Sequence, residues 1–222
     1  MVNSIKREPP TSTDVSEGGY YVPPGTLLYA SPTGHLLNNQ YLHKSVVLIL
    51  SNDPVATVGV VLNRPTPNGI EVDVPNSGPV VLPVLFGGGF KVKTEPGVIW
   101  LHNSKKLKAL GIGSSIGINH GTSYFKITSK EAITCVAKGV CGVEDFVVIS
   151  GVSVWTKGEK GIVRGIEGEV VKGKFNVCQG GGHEKLVWGE IRGQAVMKKD
   201  RVYRTSLKVR QSKGCELFYT IH

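Results

Sequence analysis

The sequence predicts an α+β fold: a single domain with a large mixed, mostly antiparallel β-sheet core and a few flanking helices. Three observations carry this. Two apolar runs, Val46–Leu50 and Val58–Leu62, flank the turn Ser51-Asn52-Asp53-Pro54; a buried helix is the rival for each, and their short length and β-branching argue for strands. Neither run alternates, so both read as neighbouring strands buried on two faces. Strand-like runs come first, followed by helix, strand, helix, without the regular repetition of βαβ units.

Taken in order, residues 1–24 are polar and Pro-rich and read as a flexible arm. The fold begins at Gly25, and Thr26–Ala30 is a first strand stopped by Ser31-Pro32. His35–Lys44 reads as a loop or one-turn helix leading into the paired runs. Thr66–Pro79 is rich in proline and glycine and reads as a surface excursion. Val80–Phe86 is a strand whose Pro83 implies an edge position or a bulge, and it runs into Gly87-Gly88-Gly89. Val98–Leu101 is a short strand ending at His102. Lys105–Leu110 reads as a helical turn with its lysines in solvent, and Ser115–Asn119 with Tyr124–Thr128 as a hairpin around His120-Gly121.

The first full helix starts at Thr128 or Ser129 as N-cap, with Glu131 in the first turn and Ile133, Val136, Ala137 and Val140 on one face. Gly139 and Gly142 end it. Asp145–Ser150 is another buried strand leading into Gly151–Trp155. A second helix spans Glu159–Val171, where Gly161 and Gly165, four apart, imply a closely packed neighbouring backbone. Cys178–His183 is a glycine-rich connector, and Leu186–Ala195 a last short helix. Residues 202–210 alternate apolar and basic side chains and fit an edge strand with one basic face. The division is an arm (1–24), a domain (25–195) and a basic extension (196–222).

The chain of 222 residues carries a net charge of +9. The extension holds seven basic and two acidic residues, a net +5. Such an excess fits attraction to nucleic acid or to an acidic protein partner, and equally a solvated basic surface. Lys198, Lys199, Arg201, Arg204, Lys208 and Arg210 would meet phosphates, with Tyr203 as a stacking surface. No run approaches the ~18–20 apolar residues of a membrane helix, and the first residues lack the apolar stretch of a secretory signal. The expectation is an intracellular, cytoplasmic protein, or one of an organelle stroma if a presequence has been removed. The four cysteines form no C-x-x-C pair and read as reduced thiols.

Several residues have chemistry to offer. Gly113-Ser114-Ser115-Ile116-Gly117 satisfies G-x-S-x-G, but a nucleophile elbow needs a strand before it and a helix after it. Here a loop precedes and a hairpin follows. No phosphate-binding or dinucleotide fingerprint occurs. His102 and His120 lack ligand spacing, so no metal and no cofactor is expected. Asn63-Arg64-Pro65 and Gly87-Gly88-Gly89 end adjacent elements. A backbone without side chains beside a guanidinium would cradle a carboxylate or phosphate, so Asn63, Arg64, Gly87, Gly88 and Gly89, with His102, are the ligand-binding candidates, for a small-anion or hydrolase site. The alternative is a structural Arg64 and tightly packed glycines.

Leu27-Leu28-Tyr29-Ala30-Ser31-Pro32, the Ser45–Pro65 stretch, Phe86-Gly87-Gly88-Gly89 and Trp100-Leu101-His102 resemble the AlgH/YqgE family, as do Gly151–Gly158 and Ile166–Val170. The likeness covers about residues 25–195. It departs where the family's Gly-Gly-Pro is Gly87-Gly88-Gly89 and where a usual second aromatic is Val152. The resemblance implies one α+β domain with no established enzyme activity. Members carry the label of transcriptional regulator without a recognisable DNA-reading motif. A non-enzymatic, regulatory role through binding is therefore expected.

Overall fold

The computed structural model describes residues 21–31, 40–75, 78–93, 97–117, 124–157 and 165–178. The strands divide between two sheets, one antiparallel and one mixed, flanked by three α-helices. The α+β class and the mainly antiparallel pairing are as the sequence predicts.

The first sheet is built on the paired apolar runs. β2 (Val46–Asn52) and β3 (Ala56–Val61) form a hairpin, with Leu48 opposite Val60 and an irregularity between Ile49 and Ser51. The turn is held by Asp53, whose Oδ1 accepts from the Val55 and Ala56 N–H groups at 2.8 Å. β1 (Leu27–Ala30) lies beside β2 on one side and β11 (Phe175–Val177) on the other. β10 (Ser153–Thr156) closes the far edge against β3.

The second sheet runs β4 (Pro65–Val74), β5 (Gly78–Phe86), β9 (Phe146–Ser150), β6 (Val98–His102), β8 (Phe125–Ile127) and β7 (Ser114–Ser115). Its one parallel pair is β5 with β9. The reading of Thr66–Pro79 as a surface excursion is corrected here. Ile70, Val72 and Val74 alternate into the core, and the prolines fit because β4 is an edge strand. β5 is internal, and Pro83 faces Gly69 at the irregularity between Pro65 and Gly69, so it marks a bulge.

Three apolar clusters order these parts into layers. Leu27, Leu48, Val60 and Leu62 from the first sheet meet Leu85, Ile99, Leu101 and Ile149 from the second. The outer face of the second sheet is covered by α1 (Lys105–Ala109), through Leu107, and by α2 (Ser129–Ala137), through Ala132 and Cys135. The outer face of the first sheet is covered by α3 (Gly165–Val171), through Ile166 beside Trp155 and Phe175. The order is helix, sheet, sheet, helices.

α2 begins as expected at Thr128, which makes a reciprocal capping box with Glu131. Its buried centre is Ala132 and Cys135, with Ile133 and Val136 flanking. Among the described residues α3 starts at Gly165, so this glycine lies at a helix end with φ +72°. A Cβ there would meet side chains of Glu167 and Lys157 first, at 3.3 and 3.4 Å, so no close backbone explains it. Gly161, the turn around His120, the predicted helix over 186–195 and the 202–210 strand lie outside the described residues.

Candidate functional site

Asn63 and Arg64 sit where the chain leaves β3 and enters β4. Both reach back to the turn before β2, where Lys44 adopts φ +55°, uncommon for a residue with a side chain. The Asn63 carboxamide holds both flanks of this turn. Its Oδ1 accepts from the Val46 N–H, and its Nδ2 donates to the Lys44 carbonyl, each at 2.9 Å. Arg64 Nε donates to the Tyr41 carbonyl at 3.2 Å, and Nη2 donates to the His43 carbonyl. The guanidinium is thus oriented by main-chain acceptors, and no carboxylate among the described residues pairs with it.

Gly87 and Gly88 are buried against another backbone. A Cβ on Gly87 would fall 2.3 Å from the Gly151 carbonyl oxygen, and one on Gly88 would fall 2.2 Å from the Val152 carbonyl carbon. Gly151 has φ +77° and faces Gly88 in return. The Gly87 carbonyl accepts from the Val61 N–H at 3.0 Å and from Ser153 Oγ at 3.2 Å, and the Gly87 N–H donates to Ser150 at 2.7 Å. These bonds join the two sheets. Gly89 differs: it is exposed and a Cβ there meets nothing within 4 Å. The structure therefore sets Arg64 near this junction through the Phe86 N–H bond to its carbonyl, at 2.7 Å, while backbone fills the space beside Gly87 and Gly88.

His102 is fully buried at the end of β6. Its ring stacks on Phe125 at 5.2 Å and meets Phe146 edge-on at 6.3 Å. Nε2 lies 3.0 Å from the Ile112 carbonyl, which only accepts, so Nε2 carries the proton and Nδ1 is left without a partner. Burial pushes its pKa down, against the Ile112 bond and the charge of Asp145, which pull it up. Gly113, with φ +84°, comes close because a Cβ there would stand 2.7 Å from Nε2. The glycine of the G-x-S-x-G sequence thus packs on a histidine. Ser115 lies in the two-residue β7, paired opposite Phe125, and its Oγ donates to Gly117 at 3.2 Å. Among the described residues no strand-to-helix turn is formed around it. His120 and the six tail residues from Lys198 to Arg210 with Tyr203 lie outside the described residues.

The sequence reading missed one polar cluster. Asn52 Nδ2 donates to Glu167 Oε1 and to the Val22 carbonyl, both at 2.7 Å, and Thr57 Oγ1 donates to Asn52 Oδ1 at 2.8 Å. Lys157 Nζ lies 3.5 Å from Glu167 Oε1. Glu167 is buried, and its ion pair and amide bond are what make that burial tolerable. The cluster ties α3 to the β2–β3 hairpin. Pattern alone gives no signal for a contact between residues so distant in sequence. A second feature is basic: α1 and β8 leave Lys105, Lys106, Lys108 and Lys126 exposed, with Lys108 Nζ 5.6 Å from the Phe125 ring centre. No group of three or more metal-ligating side chains converges among the described residues, and no helix there is long and apolar enough to cross a membrane.

Residues 27–189 match the model of the AlgH-like family. The chain belongs to this family. Two solved structures are similar to it. The AlgH protein from Pseudomonas aeruginosa is 18% identical, over 85% of this chain and 92% of that one, with a TM-score of 0.44. A protein from Corynebacterium diphtheriae is 15% identical, over 78% and 87%, with a TM-score of 0.46. No curated protein matches. The residues by which the sequence resembles the AlgH-like family are, in this chain, largely residues that hold it together. Asn63 and Arg64 clamp a turn, Gly87, Gly88 and Gly151 join the sheets, and His102 is core.

Proposed function

We propose that this AlgH-like protein acts by binding, as a regulator and not as an enzyme, and that its basic extension engages an anionic partner. The observation that carries the reading is the use made of Asn63 and Arg64. These are the polar side chains best suited to hold a small anion, and Asn63 Nδ2 with Arg64 Nε and Nη2 donate instead to the Lys44, Tyr41 and His43 carbonyls. The charge of residues 196–222 and the exposed lysines of α1 and β8 support an anionic partner. Nucleic acid is the partner class with the clearest test, because neutralised phosphates release counterions and make affinity fall with salt.

The test is fluorescence anisotropy of labelled duplex DNA, single-stranded DNA and RNA at two salt concentrations. Full-length protein is compared with a full-length variant in which Lys198, Lys199, Arg201 and Arg204 are changed to Gln. Binding that weakens with salt and falls by an order of magnitude or so in the variant is expected, since about four phosphate contacts are removed. No binding of any of the three at low salt overturns the nucleic-acid assignment and leaves an acidic protein as the partner.

A further inference from the structure

Past β5 the chain leaves the second sheet and bonds to the first. Gly87 and Gly88 lie against the Gly151–Ser153 backbone, and Phe90 then exchanges two main-chain bonds with Val152. The Phe90 N–H donates to the Val152 carbonyl at 3.0 Å, and the Val152 N–H donates to the Phe90 carbonyl at 2.9 Å. A doubly bonded antiparallel pair of this kind fixes the backbone of both residues. Val152 leads directly into β10, so Phe90 is anchored beside the edge of the first sheet.

The ring of Phe90 takes no part in that anchorage. Phe90 is 56% exposed and belongs to none of the three apolar clusters, whereas Val92 and Val152 pack against the central one. Single exposed apolar side chains are ordinary, but the surroundings of this one are particular. Before it, Gly89 is exposed, and a Cβ there would meet nothing within 4 Å, so that residue raises no wall beside the ring. After it, Lys91 and Lys93 are exposed, and the nearest acid in the sequence is Glu95, outside the described residues. Tyr21 is the other aromatic more than half exposed among the described residues, and Lys157 Nζ stands over its ring, 6.0 Å from the centre. Among the described residues no ammonium and no second ring covers Phe90.

An open aromatic face on a fixed backbone, with ammonium groups one and three residues on, suits an unpaired base and its phosphates. An apolar protein surface fits less well, because the ring is flanked by a glycine and a lysine and forms no contiguous apolar patch. We propose that Phe90 is a stacking platform for a base of single-stranded nucleic acid, with Lys91 and Lys93 holding the adjoining phosphates. This contact rests on nucleic acid being the anionic partner, and it belongs to the folded layers instead of the extension. It favours unpaired strands, since the bases of a duplex already stack on one another.

The test is fluorescence anisotropy of the full-length protein with two labelled single strands of equal length and charge, one an oligothymidylate and one made of abasic residues. Tighter binding of the oligothymidylate is expected. Phe90→Ala should weaken it about fivefold or more, the size of one lost stacked base, and leave the affinity for the abasic strand unchanged. Phe90→Trp should keep the preference. Lys91→Gln with Lys93→Gln should weaken both strands and flatten the slope of log affinity against log salt by about 1.4, as for two single-strand phosphate contacts. An unchanged melting temperature in Phe90→Ala, expected for a ring outside the clusters, separates lost stacking from lost fold. Equal affinity for the two strands in the wild type, or no effect of Phe90→Ala on the oligothymidylate, overturns the stacking platform and leaves nucleic acid as the partner. Binding of neither strand at low salt overturns both.

Discussion

Lys44 turns the chain with a positive φ, and Asn63 makes that turn affordable by bonding both of its flanks. The residues singled out in the sequence as a pocket were legible as neighbours, because Asn63-Arg64-Pro65 and Gly87-Gly88-Gly89 do meet at one junction. Sequence left two uses open, an anion cradle or a structural Arg64 beside tightly packed glycines. A guanidinium reads the same in sequence whether it faces a phosphate or two carbonyls. His102 is a clearer case at this scale, since its burial has a pH signature. Its folded pKa lies below the ordinary value, so as pH falls below about 6.5 the unfolded chain takes up a proton that the folded one refuses. Its contribution to stability is therefore complete above that pH and is lost progressively below it. Urea midpoints at about pH 7.5 and about pH 5.5 should differ, and the difference should shrink in His102→Phe. An unchanged pH dependence in that variant would show that other groups cause the loss.

Among the elements, α2 was legible to within a residue because its start is a local device. Thr128 and Glu131 are three apart and cap each other directly. Thr128→Ala should lower stability by about 1 kcal/mol, read as a lower denaturant midpoint with an unchanged slope. β4 was missed for the opposite reason. Its prolines and Gly69 are breakers in an isolated chain, yet at a sheet edge they remove no ladder bond, and the alternation of Ile70, Val72 and Val74 decides. β11 has only three residues and is defined by pairing with β1, which no local pattern announces. Glu167 belongs here too: it looks like a first-turn acid of α3, but its bond to Asn52 fastens the helix to the first sheet.

For the whole molecule, the sequence supports strands before helices and a mainly antiparallel core, but not the partition into two sheets. That partition depends on which apolar face of each strand meets which, and runs buried on both faces carry no sign of it. The layers share one central cluster and the Gly87–Gly151 junction, so they should unfold together. Trp100 lies in the outer cluster of the second sheet and Trp155 in that of the first. Variants keeping only one of them, made with Trp→Phe at the other and at Trp188, allow each face to be followed by fluorescence. Equal responses to denaturant relative to each variant's own far-ultraviolet signal are expected. A tryptophan transition that departs from that signal would mean that one layer melts first.

The pairing of β1 with β11 has a consequence for birth on the ribosome. Leu28 waits for Val177, and Val84 for Val148, so neither sheet is complete until most of the described chain has emerged. The nascent β1–β2–β3 meander is left with an open flank during that interval. Synthesis at about 5–20 residues per second makes the wait one of many seconds. The protein is thus one whose exposure to chaperones is written into its strand order, however quickly its hairpins close.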